Sequence, residues 1–71
     1  MPMSPDEIKK ELESRGLTYD KVGKRARPKR LSSSTIYKNV HSIPGAKSAR
    51  ARRLIATSID RTVEEVYGEA A

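Results

Sequence analysis

A chain of 71 residues with 35% hydrophobic side chains, three Tyr and neither Phe nor Trp has room for one small core of Leu, Ile, Val and Ala, and so for a single domain over residues 1–71, ordered over about 4–68. The net charge is +6 and there is no cysteine, which excludes disulfides and thiolate metal sites and fits a reducing compartment. The longest aliphatic stretch is Leu54-Ile55-Ala56, far short of the roughly 20 residues a spanning helix needs, and no apolar signal region opens the chain; a soluble, cytoplasmic protein without a membrane partner is expected.

Ser4-Pro5-Asp6-Glu7 reads as a helix start. Ser4 serves as N-cap, Pro5 occupies the first helical position, acids sit at the positive end of the dipole, and Glu7 can close a capping box. Ile8 and Leu12 then share one face, Arg15 suits the negative end and Gly16 can take the left-handed conformation that ends a helix; the first helix is predicted over about 5–15, with Leu17 returning to the core. Thr18 caps a second helix with Val22 and Ala26 inward and Gly23 admitting a neighbouring helix at close range. Pro28 pushes Arg27 out of the helical region, so Arg27-Pro28-Lys29-Arg30 is predicted to be a basic loop.

Leu31 precedes Ser32, the expected N-cap of a third helix over about 33–41. Its inward stripe is predicted to be Ile36, Val40 and Ile43, and its outward residues Ser34, Tyr37, Lys38 and His41. Ser42-Ile43-Pro44-Gly45 is a turn by composition, after which Ala51, Leu54, Ile55 and Ile59 recur at helical spacing over about 47–59. Thr62-Val63-Glu64-Glu65 repeats the capping-box pattern and starts a short fifth helix with Val63 and Val66 inward, closing at Gly68. No alternating strand pattern, flexible linker or repeat interrupts this series. The predicted fold is therefore all-α, a compact bundle of five short helices, with residues 1–3 and 69–71 frayed.

Charge is distributed in blocks. Residues 1–20 carry three basic and five acidic side chains, residues 21–53 eleven basic and no acidic ones, and residues 54–71 one basic and four acidic. A hydroxyl-rich helix inside a cationic block is suited to docking on a phosphate backbone and reaching base edges.

Three segments resemble the helix-turn-helix repressors of the Cro and lambda-repressor type, and more closely the small Ner-like phage regulators. Arg15-Gly-Leu-Thr-Tyr-Asp-Lys-Val22 is similar to their lead-in to the second helix, and Leu31-Ser-Ser-Ser-Thr-Ile36 to the start of their recognition helix. Ile55-Ala-Thr-Ser-Ile-Asp-Arg-Thr-Val-Glu-Glu-Val-Tyr-Gly68 is similar to their closing helix pair. The resemblance implies that Val22, Ala26, Leu31 and Ile36 hold the two helices of the motif together, and that Ser33, Ser34, Tyr37 and Lys38 meet base edges. The segment Arg27-Pro28-Lys29-Arg30 departs from the family, standing where a tight turn is usual and lengthening the spacing between the two helices.

The implied function is a sequence-specific regulator of transcription on double-stranded DNA, a phage or prophage repressor. Phosphate contacts are expected from Lys21, Lys24, Arg25, Arg27, Lys29, Arg30, His41, Lys47, Arg50 and Arg53. A weak homodimer, or monomers that pair only on DNA, fits the lack of an extended apolar surface. The alternatives are a non-specific or RNA-directed basic protein and a helical module that holds an acidic protein partner.

Several residues carry a plainer reading beside the functional one. Ser32 is the expected cap, which leaves Ser33 and Ser34 for DNA. Tyr37 either stacks on a sugar or thymine methyl or covers the rim of the core, and Lys38 suits a phosphate better than a base. Lys47, Arg50, Arg52 and Arg53 oppose the dipole at the start of the fourth helix; a bound phosphate explains them, as does laying their stems over the core. His41 has no metal or catalytic companion at a recognisable spacing, and Gly45-Ala-Lys-Ser48 lacks the rest of a phosphate-binding loop. Glu64 and Glu65 are adjacent and cannot face each other. No enzymatic activity, cofactor, metal or small-molecule ligand is expected.

Overall fold

Each helix begins at a Ser or Thr hydroxyl. A computed structural model describes residues 2–41, 43, 45 and 48–68, and among them the helices run in the order α1 (Pro5–Ser14), α2 (Tyr19–Lys24), α3 (Ser33–Val40), α4 (Ala49–Ser58) and α5 (Val63–Tyr67), with no strand. The N-caps Ser4, Thr18, Ser32, Ser48 and Thr62 each accept a main-chain N–H from the first turn. Ser4 with Glu7 and Thr62 with Glu65 complete capping boxes. Gly16 and Gly68 take positive φ just past α1 and α5, while α4 makes the same exit with Asp60, whose φ of 55° is unusual for a residue bearing a side chain. The N–H groups of Asp60 and Arg61 close on the carbonyls of Thr57 and Ala56, satisfying the end of α4.

The core is one apolar cluster that includes Ile8, Leu12, Val22, Ile36, Val40, Ile55, Ile59 and Val66. α2 packs most extensively on α3, α3 on α4, and α4 on α5, with α1 lying against α3. Gly23 is buried at the tightest approach, where an added Cβ would overlap the Leu31 carbonyl oxygen. The close neighbour is thus the strand of chain leading into α3 rather than another helix, and the Leu31 N–H closes the approach by donating to the Gly23 carbonyl at 3.0 Å.

Several sequence expectations are corrected. Ile43 is 38% exposed rather than part of the inward stripe, because α3 stops at Val40 and the Ile43 N–H turns back to the Lys38 carbonyl. The inward position beyond Ile36 goes to Asn39, 2% exposed, whose Nδ2 donates to Thr35 O and whose Oδ1 accepts from Ser48 N. Leu54 is only partly buried, and Ala56 takes the buried place in α4. α1 and α2 end earlier than expected, at Ser14 and Lys24, and α4 begins at Ala49 because Ser48 caps it. Pro2 and Met3 are docked rather than frayed: the Met3 N–H donates to Val66 O at 2.9 Å, and Met3 packs on the core. The expected frayed residues 1 and 69–71 lie outside the described residues, as do Ser42 and Pro44 of the predicted turn.

Charge closes the bundle where α1 meets the α4–α5 turn. Arg15 reaches Glu11 at 2.8 Å and Asp60 at 3.6 Å, and Arg61 reaches Glu11 at 3.2 Å. Hydrogen bonds from Arg61 and then Arg15 hold the Glu11 carboxyl below its usual range. The main-chain N–H and hydroxyl of Ser4 do the same for Glu7, and those of Thr62 for Glu65. All three values are depressed from 4.5, so their stabilisation is present above the unfolded-state value and is lost as pH falls through the folded ones. Thermal melts are expected to be level from about pH 6 to 8 and to drop below about pH 4.5. Glu11→Gln should be less stable at neutral pH and show a shallower acid drop; an equal drop in that variant would remove Glu11 from the account.

Candidate nucleic-acid interface

On α3 the buried and exposed faces divide the side chains by chemistry. Ile36, Asn39 and Val40 face inward, while Ser33, Ser34, Tyr37 and Lys38 are exposed together. The Ser32 hydroxyl is committed to the cap, accepting from Thr35 N at 3.1 Å and sharing a 2.9 Å hydrogen bond with Thr35 Oγ1. No such commitment holds Ser33 or Ser34: among the described residues neither hydroxyl has a protein partner, nor does the Lys38 ammonium. Tyr37, 46% exposed, meets Tyr19 edge-on at 5.9 Å and lies tilted against His41 at 4.3 Å. The ring lies at the helix surface against these two side chains, of which Tyr19 packs on the core. His41, expected outward, is half-buried as the C-cap.

The basic loop between α2 and α3 is held by arginines acting on main-chain oxygens. Arg27 Nη1 donates to Lys24 O at 3.0 Å and Ala26 O at 3.1 Å, and Arg50 Nη2 on α4 donates to Arg27 O at 3.2 Å and Lys29 O at 2.9 Å. Two of the expected phosphate contacts therefore have a structural task as well. Lys21 Nζ donates to Gly16 O at 3.3 Å, and Lys24 pairs with Asp20 at 3.0 Å. Arg25, Lys29, Arg30 and Arg53 are exposed and have no side-chain partner among the described residues. Lys47 lies outside the described residues.

Arg52 separates from its neighbours in the same basic cluster. It is 8% exposed, with its guanidinium 4.5 Å from the centre of the Tyr67 ring. Tyr67 in turn donates its hydroxyl to Asn39 O at 3.1 Å, and burial pushes that hydroxyl up to about 12, with Arg52 acting in the opposite direction. Asn39, Arg52 and Tyr67 thus tie the interior ends of α3, α4 and α5 behind the exposed face of α3. The available signals in sequence were slight: an amide on the inward side of α3, and a cluster of cations that helix electrostatics did not explain.

Among the described residues no group of His, Cys, Asp or Glu is placed to hold a metal ion, and no helix is long and apolar enough to cross a membrane. What the arrangement offers is a hydrogen-bonding helix face beside cations with no acidic neighbours in sequence from residue 21 to 53. Comparison with family models, with curated proteins and with solved structures returns no match.

Proposed function

We propose that this chain is a sequence-specific DNA-binding regulator of transcription, a small repressor of phage type, in which α2 and α3 act as a helix-turn-helix and α3 lies in the major groove. The observation that carries this reading is the joint exposure of Ser33, Ser34, Tyr37 and Lys38 beside uncompensated Arg25, Lys29 and Arg30. Hydroxyl, phenol and ammonium groups offer donors and acceptors to base edges, while the flanking cations bind phosphates and fix the register of the helix. The fixed loop adds to this: a guanidinium on α4 sets the path of the chain from which Lys29 and Arg30 project. The resemblance to Ner-like and lambda-repressor-type regulators points the same way. Cytoplasmic localisation, and pairing of monomers on DNA, belong to this proposal.

The two groups of residues should respond differently to substitution. Ser34→Ala should reduce the preference for a selected duplex over a random one by about 1 to 3 kcal/mol. Lys29→Ala and Arg30→Ala should instead weaken binding to every duplex alike and reduce the salt-dependence slope by about one unit per lost phosphate contact. Fluorescence anisotropy over a series of salt concentrations measures both. Unchanged affinity and slope in the Lys29 and Arg30 variants would turn the loop away from the DNA.

A further inference from the structure

Where the end of α2 meets α4, the surface opens into a groove of about 370 Å3 whose apolar lining the DNA-reading proposal leaves unused. Its floor is apolar, made of buried Ala26 and partly buried Leu54, and exposed Ala49, Thr57, Arg25, Arg27, Arg50 and Arg53 stand around it. None of the exposed α3 residues Ser33, Ser34, Tyr37 and Lys38 lines it. The rim is built rather than incidental. Arg27 and Arg50 are fixed by hydrogen bonds to the carbonyls of residues 24, 26, 27 and 29, whereas Arg25 and Arg53 have no acidic partner among the described residues. The partial exposure of Leu54 has its place here: its side chain packs on the edge of the core and also lines the groove.

We infer that this groove binds an acidic segment of a partner protein, one that seats an apolar side chain against Leu54 and directs flanking carboxylates to Arg25 and Arg53. Charge complementarity selects an anion, since four guanidinium groups surround the groove and no carboxylate lines it. The floor then selects among anions. A duplex presents phosphates and sugars to such a rim and leaves Leu54 without an apolar counterpart, and a single strand would find no aromatic ring in the groove on which to stack a base. A peptide with an aliphatic or aromatic anchor between acids satisfies both surfaces, combining recognition of an acidic motif by arginines with burial of an anchor. Binding at the groove does not depend on α3 reading DNA. It does place the partner over Arg25 and Arg53, so an acidic protein docked there would withdraw two cations from the phosphate-binding set.

The test is selection of binders to the full chain from a random peptide library in DNA-free buffer, followed by titration of one recovered peptide, its anchor-to-Ser analogue and poly-glutamate. Recovered sequences should share an apolar residue flanked by Asp or Glu, and the anchor-to-Ser analogue and poly-glutamate should each bind at least about tenfold more weakly than the peptide. Ala49→Glu should weaken the peptide by a similar factor; position 49 is exposed at the first turn of α4, where an acid suits the dipole and the fold is retained. Leu54→Ala should also weaken the peptide, and Ser34→Ala should leave it unchanged. Failure to recover binders, poly-glutamate binding as tightly as the selected peptide, or indifference to Ala49→Glu would each overturn the inference. If no peptide is recovered and the charge-neutral Leu54→Ala lowers duplex affinity tenfold, the groove belongs to the DNA interface. Loss of duplex binding with peptide binding intact would overturn the DNA reading alone.

Discussion

Ile36→Ala is expected to unfold a large fraction of the protein. Ile36 is fully buried in the central cluster between α2 and α3 and is among the largest side chains with no exposure. Removing its branched end forfeits the transfer free energy and leaves a cavity, a loss of about 2 to 5 kcal/mol for such a site. A domain of this size has a total stability of roughly 4 to 10 kcal/mol, so the substitution removes a large share of the whole. Leu54→Ala, at a partly exposed site on the groove, should cost less, and Lys38→Ala almost nothing. Chemical denaturation followed by circular dichroism ranks the three. An Ile36→Ala protein as stable as the parent would require α3 to be rotated about its axis, and Ser33, Ser34, Tyr37 and Lys38 would no longer form the exposed face.

Gly23→Ala sets two effects of opposite sign against each other. Alanine in place of glycine inside a helix is worth up to about 1 kcal/mol in propensity, and α2 is short enough to benefit. The new Cβ, however, overlaps the Leu31 carbonyl oxygen, a main-chain atom with no rotamer through which to escape, and it also meets the Leu31 carbonyl carbon at 3.1 Å and Ile36 Cγ1 at 3.6 Å. Leu31 is also bound back to Gly23 through its own N–H. The steric term wins, and a net destabilisation of about 1 to 3 kcal/mol is expected, in the range of overpacked cores. Because the displaced segment leads directly into α3, duplex affinity should fall along with the melting temperature. A stabilised Gly23→Ala protein would show that the approach of α2 to residue 31 is looser than described.

The features legible in the sequence are those determined by neighbours along the chain. The caps at Ser4, Thr18, Ser32 and Thr62 and the exit at Gly68 depend on side chains within one turn of the main-chain groups they serve. Periodicity likewise located Ile8, Leu12, Val22, Ile36, Val40, Ile55, Ile59 and Val66 in the core. Ile43 was misplaced because the helical wheel was carried past the end of α3, and Leu54 because its spacing does not distinguish full burial from a place at the edge of the core that also lines a groove. The long-range contacts left no periodic trace. Arg50 meets carbonyls at residues 27 and 29, Arg61 meets Glu11, and Tyr67 meets Asn39. Such pairs are set by how helices dock, and neither spacing nor propensity encodes them. At the candidate interface, the exposure of Ser34, Tyr37 and Lys38 was legible from the wheel, whereas the half-burial of His41 at the cap and the division of the arginines between loop supports, core cover and uncompensated surface cations required the fold.

Selection of bound duplexes from a random pool, using the full chain, tests the central claim most directly. Convergence on a defined sequence is expected, with the recovered duplex bound at least about tenfold more tightly than a scrambled one, as even one or two good base contacts would provide. Replacing Ser33, Ser34 and Tyr37 together by alanine should abolish that ratio while salt-dependent binding to the scrambled duplex remains. A pool that stays random, with equal affinity for unrelated duplexes in the parent protein, would contradict sequence-specific recognition by α3.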